Sequence, residues 1–177
     1  VRVSCHIWHM IKCICAKKTP KEIFVLVTVL SSLILMTSLV LENAFHIPVC
    51  KLCLFERYPY IAATAIGLFG VFFHRTQSSI NFVRNLLLFT FLASFVLSAY
   101  HILIEYNLIP LPDFCKTSLV QASSFAELKD QIMNQKKLVP CNAVSFKILF
   151  LSLAEWNAIA SFLLLSISWH MKAHAKS

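Results

Sequence analysis

The sequence predicts an all-α integral membrane protein, a four-helix transmembrane bundle with both termini in the cytoplasm, and three observations predict it. Of 177 residues, 58% are hydrophobic, 14% are charged and only two are glycine. Four separate apolar runs each approach the ~20 residues that cross ~30 Å of hydrocarbon, more than a soluble domain of this length could hide. The basic residues fall unevenly among the segments joining those runs, as the positive-inside rule requires. A formal net charge of +8 could suit a nucleic acid. The cations are not clustered with stacking aromatics, however, and that partner is set aside.

Residues 1–22 read as a cytoplasmic extension holding Cys5, Cys13 and Cys15 beside His6, Trp8 and His9. These spacings match no usual zinc pattern, so reduced cytosolic thiols are the plainer expectation and no metal site is assigned. The first span is 23–41, nineteen residues without a charge. It is too long, and too poor in small residues at its end, to read better as a cleaved signal peptide. The second is about 54–73, with Glu56 and Arg57 at its entrance and His74-Arg75 at its exit. The third is about 86–104, interrupted by His101, and the fourth is about 148–169, carrying Glu155 and Asn157. Each should be a helix, because lipid satisfies no open backbone group. The spans make a membrane domain over 23–170, followed by a cytoplasmic tail, 171–177.

With the N-terminus inside, the cytoplasmic segments hold Arg2, Lys12, Lys17, Lys18, Lys21, Arg75, Arg84, Lys172 and Lys176 against the single acid Glu22. The external segments balance seven cations against seven acids. External loops then cover 42–53 and 105–147. In the second, Ser124 and Glu127 are spaced as a capping box, and Phe125, Leu128, Ile132 and Met133 recur at helical spacing. A short amphipathic helix is expected there, lying on the bilayer surface or packed on the protein itself.

This topology sets Cys50, Cys53, Cys115 and Cys141 outside, where disulfides persist. Two residues between Cys50 and Cys53 let both sulfurs share one turn, so the pair can cycle between dithiol and disulfide without refolding. It closes no long loop and so has little value as a staple, and a zinc site would need more ligands. Arg57, four residues beyond Cys53, should lie on the same helical face and favour a thiolate at Cys53, helped by the helix N-terminus. Its other role is an interfacial anchor or a neighbour of Glu56. Cys115 and Cys141, twenty-six positions apart, could staple their loop or take part in exchange. A lone histidine such as His101 ordinarily packs or bonds a carbonyl. Glu155 is either a functional intramembrane acid or a snorkelling one.

The stretch Pro48-Val49-Cys50-Lys51-Leu52-Cys53-Leu54-Phe55-Glu56-Arg57 resembles the signature of the DsbB family of disulfide bond formation proteins, bacterial inner-membrane enzymes that reoxidise a periplasmic thioredoxin-fold oxidase. His101 near the outer end of the third span, Cys115 and Cys141 in the second external loop, and Ser152-Leu153-Ala154-Glu155-Trp156 at the start of the fourth helix resemble the family's pattern as well. The likeness covers about residues 23–170, and the N-terminal extension departs from it.

The resemblance implies a relay through the disulfides Cys115–Cys141 and Cys50–Cys53, with the active site facing the periplasm. A DsbA-like partner would form a mixed disulfide at Cys115, releasing Cys141. Cys141 would pair transiently with Cys50, and Cys53 would pass the electrons to a membrane quinone, ubiquinone or menaquinone. Arg57 would hold Cys53 as thiolate and bond a quinone oxygen, and His101 would serve the quinone site or proton transfer. A potential near −120 mV for the DsbA oxidase, against about −220 to −260 mV for extracted glutathione, makes a lipid-soluble oxidant the suitable sink. A vitamin K epoxide reductase-like enzyme is a rival that usually carries its CxxC late in the chain. A membrane scaffold with two structural disulfides is the rival without chemistry.

Overall fold

The structure, a computed structural model, describes residues 19–73, 75–115, 139–143 and 147–171. The cysteine-rich N-terminal segment, the expected amphipathic helix near 125–133 and the C-terminal tail beyond Met171 lie outside the described residues.

Helix α1 runs Pro20–Asn43. Thr19 and Glu22 make a reciprocal capping box, and Pro20, which has no N–H to satisfy, takes the first helical position. The helix is a little longer than the 23–41 span and so takes in Glu42. The expected second span is two helices, α2 (Lys51–Phe55) and α3 (Arg57–Phe73), with Glu56 at the break. Helix α4 (Gln77–Glu105) begins nine residues before the expected third span, because Thr76 caps the backbone N–H of Ser79 and no glycine or proline interrupts the polar turns that follow. Helix α5 (Leu153–His170) begins five residues after the expected start of the fourth span. Residues there instead form two short antiparallel strands, β1 (Lys147–Ile148) and β2 (Leu151–Ser152). Leu149 and Phe150 turn this hairpin with φ of 50° and 71°, the left-handed region that two-residue hairpins need but bulky side chains resist. Ser152 and Glu155 then cap α5 with a second capping box.

The long helices pack in chain order, α1 on α3, α3 on α4 and α4 on α5, while α1 and α5 barely touch. Burial is inverted relative to a soluble core. Ser31, Ser94, Ser98, Ser161, Ala63 and Ala154 are fully buried, whereas Met36, Phe72, Phe89 and Val96 are exposed. Small residues at helix contacts and bulky apolar ones outside are what lipid selects. Several hydroxyls are returned to their own helices, as in Thr28 to Phe24 O, Thr64 to Tyr60 O and Thr90 to Leu86 O, each at 2.8 Å, which spares those donors from facing hydrocarbon unpaired. Among the described residues α1 and α4 are long and apolar enough to cross a bilayer. Together with the apolar exterior, they make this a membrane protein.

Gly70 sets the α1–α3 approach. A Cβ there would stand 2.9 Å from both Phe24 Cγ and Val83 Cγ1. Gly70→Leu should therefore cost about 1–3 kcal/mol through overpacking. It should lower the thermal midpoint in detergent, and an unchanged midpoint would show that the contact is soft.

Candidate active site

The connection after α1 ends at Cys50, which caps α2 from an extended conformation (φ −92°, ψ 167°). Its sulfur accepts the Cys53 N–H at 3.2 Å and lies 2.9 Å from the Cys53 sulfur. The pair thus stands as two thiols, in the reduced form of the disulfide expected from sequence. The hydrogen bond from Cys53 draws the Cys50 thiol below its ordinary pKa, against an opposing push from burial. The same bond, with burial, drives the Cys53 thiol up. Sequence had assigned the thiolate to Cys53 on the strength of Arg57. In the structure the Cys53 N–H points to the Cys50 sulfur, and the close contact of the two sulfurs lowers the pKa of Cys50 and raises that of Cys53.

A pH dependence follows. Cys50 alkylation should persist as pH falls through the ordinary thiol pKa near 8.5, fading only once the depressed value is passed. Cys53→Ala removes the largest cause and should move the profile upward. Profiles of Cys50 in the two proteins that coincide would exclude the hydrogen bond as the cause.

Arg57 pairs with Glu42 at the end of α1. Both side chains are largely buried, 14% and 7% exposed, and Arg57 Nε has no partner among the described residues. The group beside Cys50 is instead His101, brought by α4, with Nε2 3.5 Å from the sulfur. Its Nδ1 lies 2.9 Å from Glu56 Oε1, which fixes the ring and leaves Nε2 toward Cys50 and, at 4.0 Å, Glu105 Oε1. Asn157 of α5 in turn donates to Glu56 Oε2 at 3.0 Å and to Ser98 Oγ at 2.7 Å, and its carbonyl oxygen accepts from the Tyr60 hydroxyl. Tyr60 reaches Ser161, and Ser161 reaches Ser94, at 2.9 and 2.8 Å. A polar ladder therefore leads from the dithiol into the bundle.

Sequence reasoning named His101 but gave Glu56, Asn157, Glu42 and Tyr60 no role at the dithiol. A polar residue in an apolar run was the available signal for Asn157, and a carboxylate at a span's end for Glu42. Nothing in the sequence marked Tyr60. Glu155 accepts from Ser152 N–H at 2.7 Å and from the Tyr106 hydroxyl at 2.9 Å, a helix-capping position apart from the sulfurs.

Cys115, closing a 3₁₀ turn (Asp113–Cys115), is disulfide-bonded to Cys141. The turn packs on α2, with Phe114 edge-on to Phe55 at 6.3 Å. Val139 N–H donates to Val49 O at 3.3 Å, so the connection after α1 and the one after α4 meet beside the dithiol. Cys50, Leu52, Ile104, Cys115 and Cys141 form one buried cluster against which Cys53 packs. The fold thus gathers the four cysteines among the described residues at one end of the bundle.

Beneath them a cavity of about 550 Å³ opens along the loosely packed α1–α5 seam. Leu30, Leu33 and Ile34 line it from α1, Trp156 and Ala160 from α5, and Cys53, Arg57, Tyr60 and His101 face it as well. Its size and mostly apolar lining are those of a small-molecule site.

No solved structure matches the chain. It is 29% identical over 152 residues, 84% of its length and 86% of the relative's, to an uncharacterized protein of Rickettsia prowazekii (strain Madrid E). Residues 20–171 match the family described as disulfide bond formation protein DsbB, whose members are thiol oxidoreductases of disulfide bond formation. The chain, with its dithiol, its disulfide and its apolar helices, belongs to the DsbB family.

Proposed function

We propose that the protein is a protein-disulfide:quinone oxidoreductase of the bacterial inner membrane. In this reading residues 23–170 form four spans, both termini are cytoplasmic, and the cysteine pairs face the periplasm to reoxidise a DsbA-like oxidase. The observation that carries it is the single buried cluster joining Cys50, Cys115 and Cys141, with Cys53 both packed on it and facing an apolar cavity. The apolar exteriors of α3 and α5, which include Ile61, Phe69, Phe72, Ile159 and Phe162, favour four spans rather than two.

Each exchange moves one electron pair between sulfurs. A thiolate of the reduced partner attacks Cys115, breaking the bond to Cys141. The partner's second thiol resolves that mixed disulfide, leaving the partner oxidised and Cys115 and Cys141 reduced. Cys141 then attacks Cys50 of the oxidised Cys50–Cys53 pair and releases Cys53. Cys115 closes back on Cys141, and the dithiol Cys50/Cys53 holds the electrons. Glu56 fixes His101 so that Nε2 can take or return a proton at Cys50.

The residues present fit a quinone. The cavity is apolar along its helical walls, and Arg57 retains a buried Nε–H that a carbonyl oxygen could accept. Bound there, a quinone supplies an acceptor for two electrons and two protons. Ubiquinone and menaquinone share that chemistry.

Mixing the purified protein, both pairs oxidised and quinone omitted, with a reduced thioredoxin-fold oxidase should yield oxidised partner and a reduced cysteine pair. In intact cells treated with a permeant reductant, membrane-impermeant thiol reagents should reach Cys115 and Cys141 from the periplasmic side. A partner that stays reduced, or cysteines labelled only from the cytoplasmic side, would contradict the proposal.

A further inference from the structure

Two thiols and an imidazole converge at the buried end of the bundle, with Cys50 Sγ, Cys53 Sγ and His101 Nε2 within 4.8 Å of one another. The cysteines have the C-x-x-C spacing that zinc sites use, but the neighbouring sequence offers no third ligand. The fold supplies one from 51 positions away. With bonds of about 2.3 Å to sulfur and about 2.05 Å to nitrogen, tetrahedral angles set a sulfur and a ring nitrogen about 3.6 Å apart and two sulfurs about 3.8 Å apart. Cys50 Sγ and His101 Nε2 already stand at 3.5 Å. The sulfurs, at 2.9 Å, need to separate by about 0.9 Å to reach that geometry. Turning Cys53, the less buried of the two, would do this.

The surroundings of the imidazole suit the same use. His101 Nδ1 is held by Glu56 at 2.9 Å, and the other oxygen of Glu56 is held by Asn157 at 3.0 Å. A carboxylate on the far nitrogen is how metal-binding histidines are oriented. Glu105 Oε1 lies 4.0 Å from Nε2 and would have to swing closer to the sulfurs to take a fourth position.

We propose that the reduced Cys50/Cys53 pair and His101 form a binding site for a thiophilic divalent cation such as zinc, with Glu105 or water as fourth ligand. Binding displaces the thiol protons and engages both sulfurs. Disulfide formation, which takes two electrons and two protons from the pair, then waits until the cation leaves. The cation is thus a brake on the reduced protein, and the oxidised pair has no affinity for it. Only this regulatory consequence rests on the proposed redox reading; the binding itself does not.

Cobalt(II) is the probe. In full-length protein with Cys5, Cys13, Cys15, Cys115 and Cys141 replaced by serine, reduced and freed of reductant, one equivalent should bind. It should show a thiolate-to-cobalt charge-transfer band and the intense visible bands of a tetrahedral site, and zinc should displace it. Oxidising the pair should abolish both signals. His101→Gln should lose the tetrahedral spectrum, Glu56→Gln should weaken binding about 10- to 100-fold, and His101→Cys should restore binding with a stronger thiolate band. Recovery in the last variant separates a lost ligand from a lost fold. No charge-transfer band in the reduced protein, or a spectrum indifferent to His101→Gln, overturns the cation site. Quinone turnover by the wild-type protein in metal-free buffer is expected whichever way the titration falls, so the two readings fail separately.

Discussion

Cys53→Ser should abolish oxidation of the partner while leaving the protein folded, and it should leave a specific covalent trace. With no sulfur at position 53, the Cys50 thiolate attacks the Cys115–Cys141 disulfide at Cys141, forming Cys50–Cys141 and freeing Cys115. No thiol remains to resolve the new bond from the Cys50 side, so Cys50–Cys141 exchanges only with Cys115–Cys141 and should be trapped when the free Cys115 is alkylated. The crossing of the two connections at Val49 and Val139, and the burial of Cys50 and Cys141 in one cluster, make this linkage the favoured one. Peptide mapping under non-reducing conditions should recover it. Its absence together with undiminished partner oxidation would leave the CxxC without a role in the relay. A scaffold stapled by structural disulfides predicts that second outcome.

Glu56→Leu should have the largest effect of any non-cysteine substitution at the site. Glu56 accepts from both His101 and Asn157 and is itself buried. Removing it orphans two buried donors at about 1–3 kcal/mol each, so the thermal midpoint should fall. Turnover should fall by about 10²- to 10⁴-fold, the range for a displaced acid–base group. Glu56→Gln keeps the shape but sets its amide against the Asn157 amide. The double variant Glu56→Gln with Asn157→Asp restores donor against acceptor and should recover stability and much of the turnover. Failure of the double variant to improve on Glu56→Gln would show that the carboxylate's charge, rather than its hydrogen-bonding geometry, is what the site requires.

The parts of the molecule that local pattern controls were legible in the sequence. Four apolar runs correspond to helices, and Thr19 and Ser152, each followed three residues later by glutamate, carry a capping signal that sequence reasoning applied only to Ser124. What failed was the level at which a residue chooses a partner across the fold. Arg57 and Cys53 share a helical spacing, yet the chain breaks at Glu56, and Glu42, carried past the expected end of α1, takes the guanidinium. His101 read as a lone histidine because Cys50, Glu56 and Glu105 meet it only when α4 packs beside α2 and α3. Tyr60 and Asn157, 97 positions apart, illustrate the same limit. The start of the fourth helix was misplaced because the short strand pair at 147–152 depends on a turn of Leu149 and Phe150, residues that carry none of the usual turn chemistry.

The most direct test is to supply purified full-length protein with excess reduced thioredoxin-fold oxidase and a soluble quinone, following quinone absorbance and partner thiols together. The relay predicts one quinone reduced for each partner disulfide formed, over many turnovers, with Cys53→Ser silent. Partner oxidation without quinone loss, or quinone loss that survives Cys53→Ser, would contradict it.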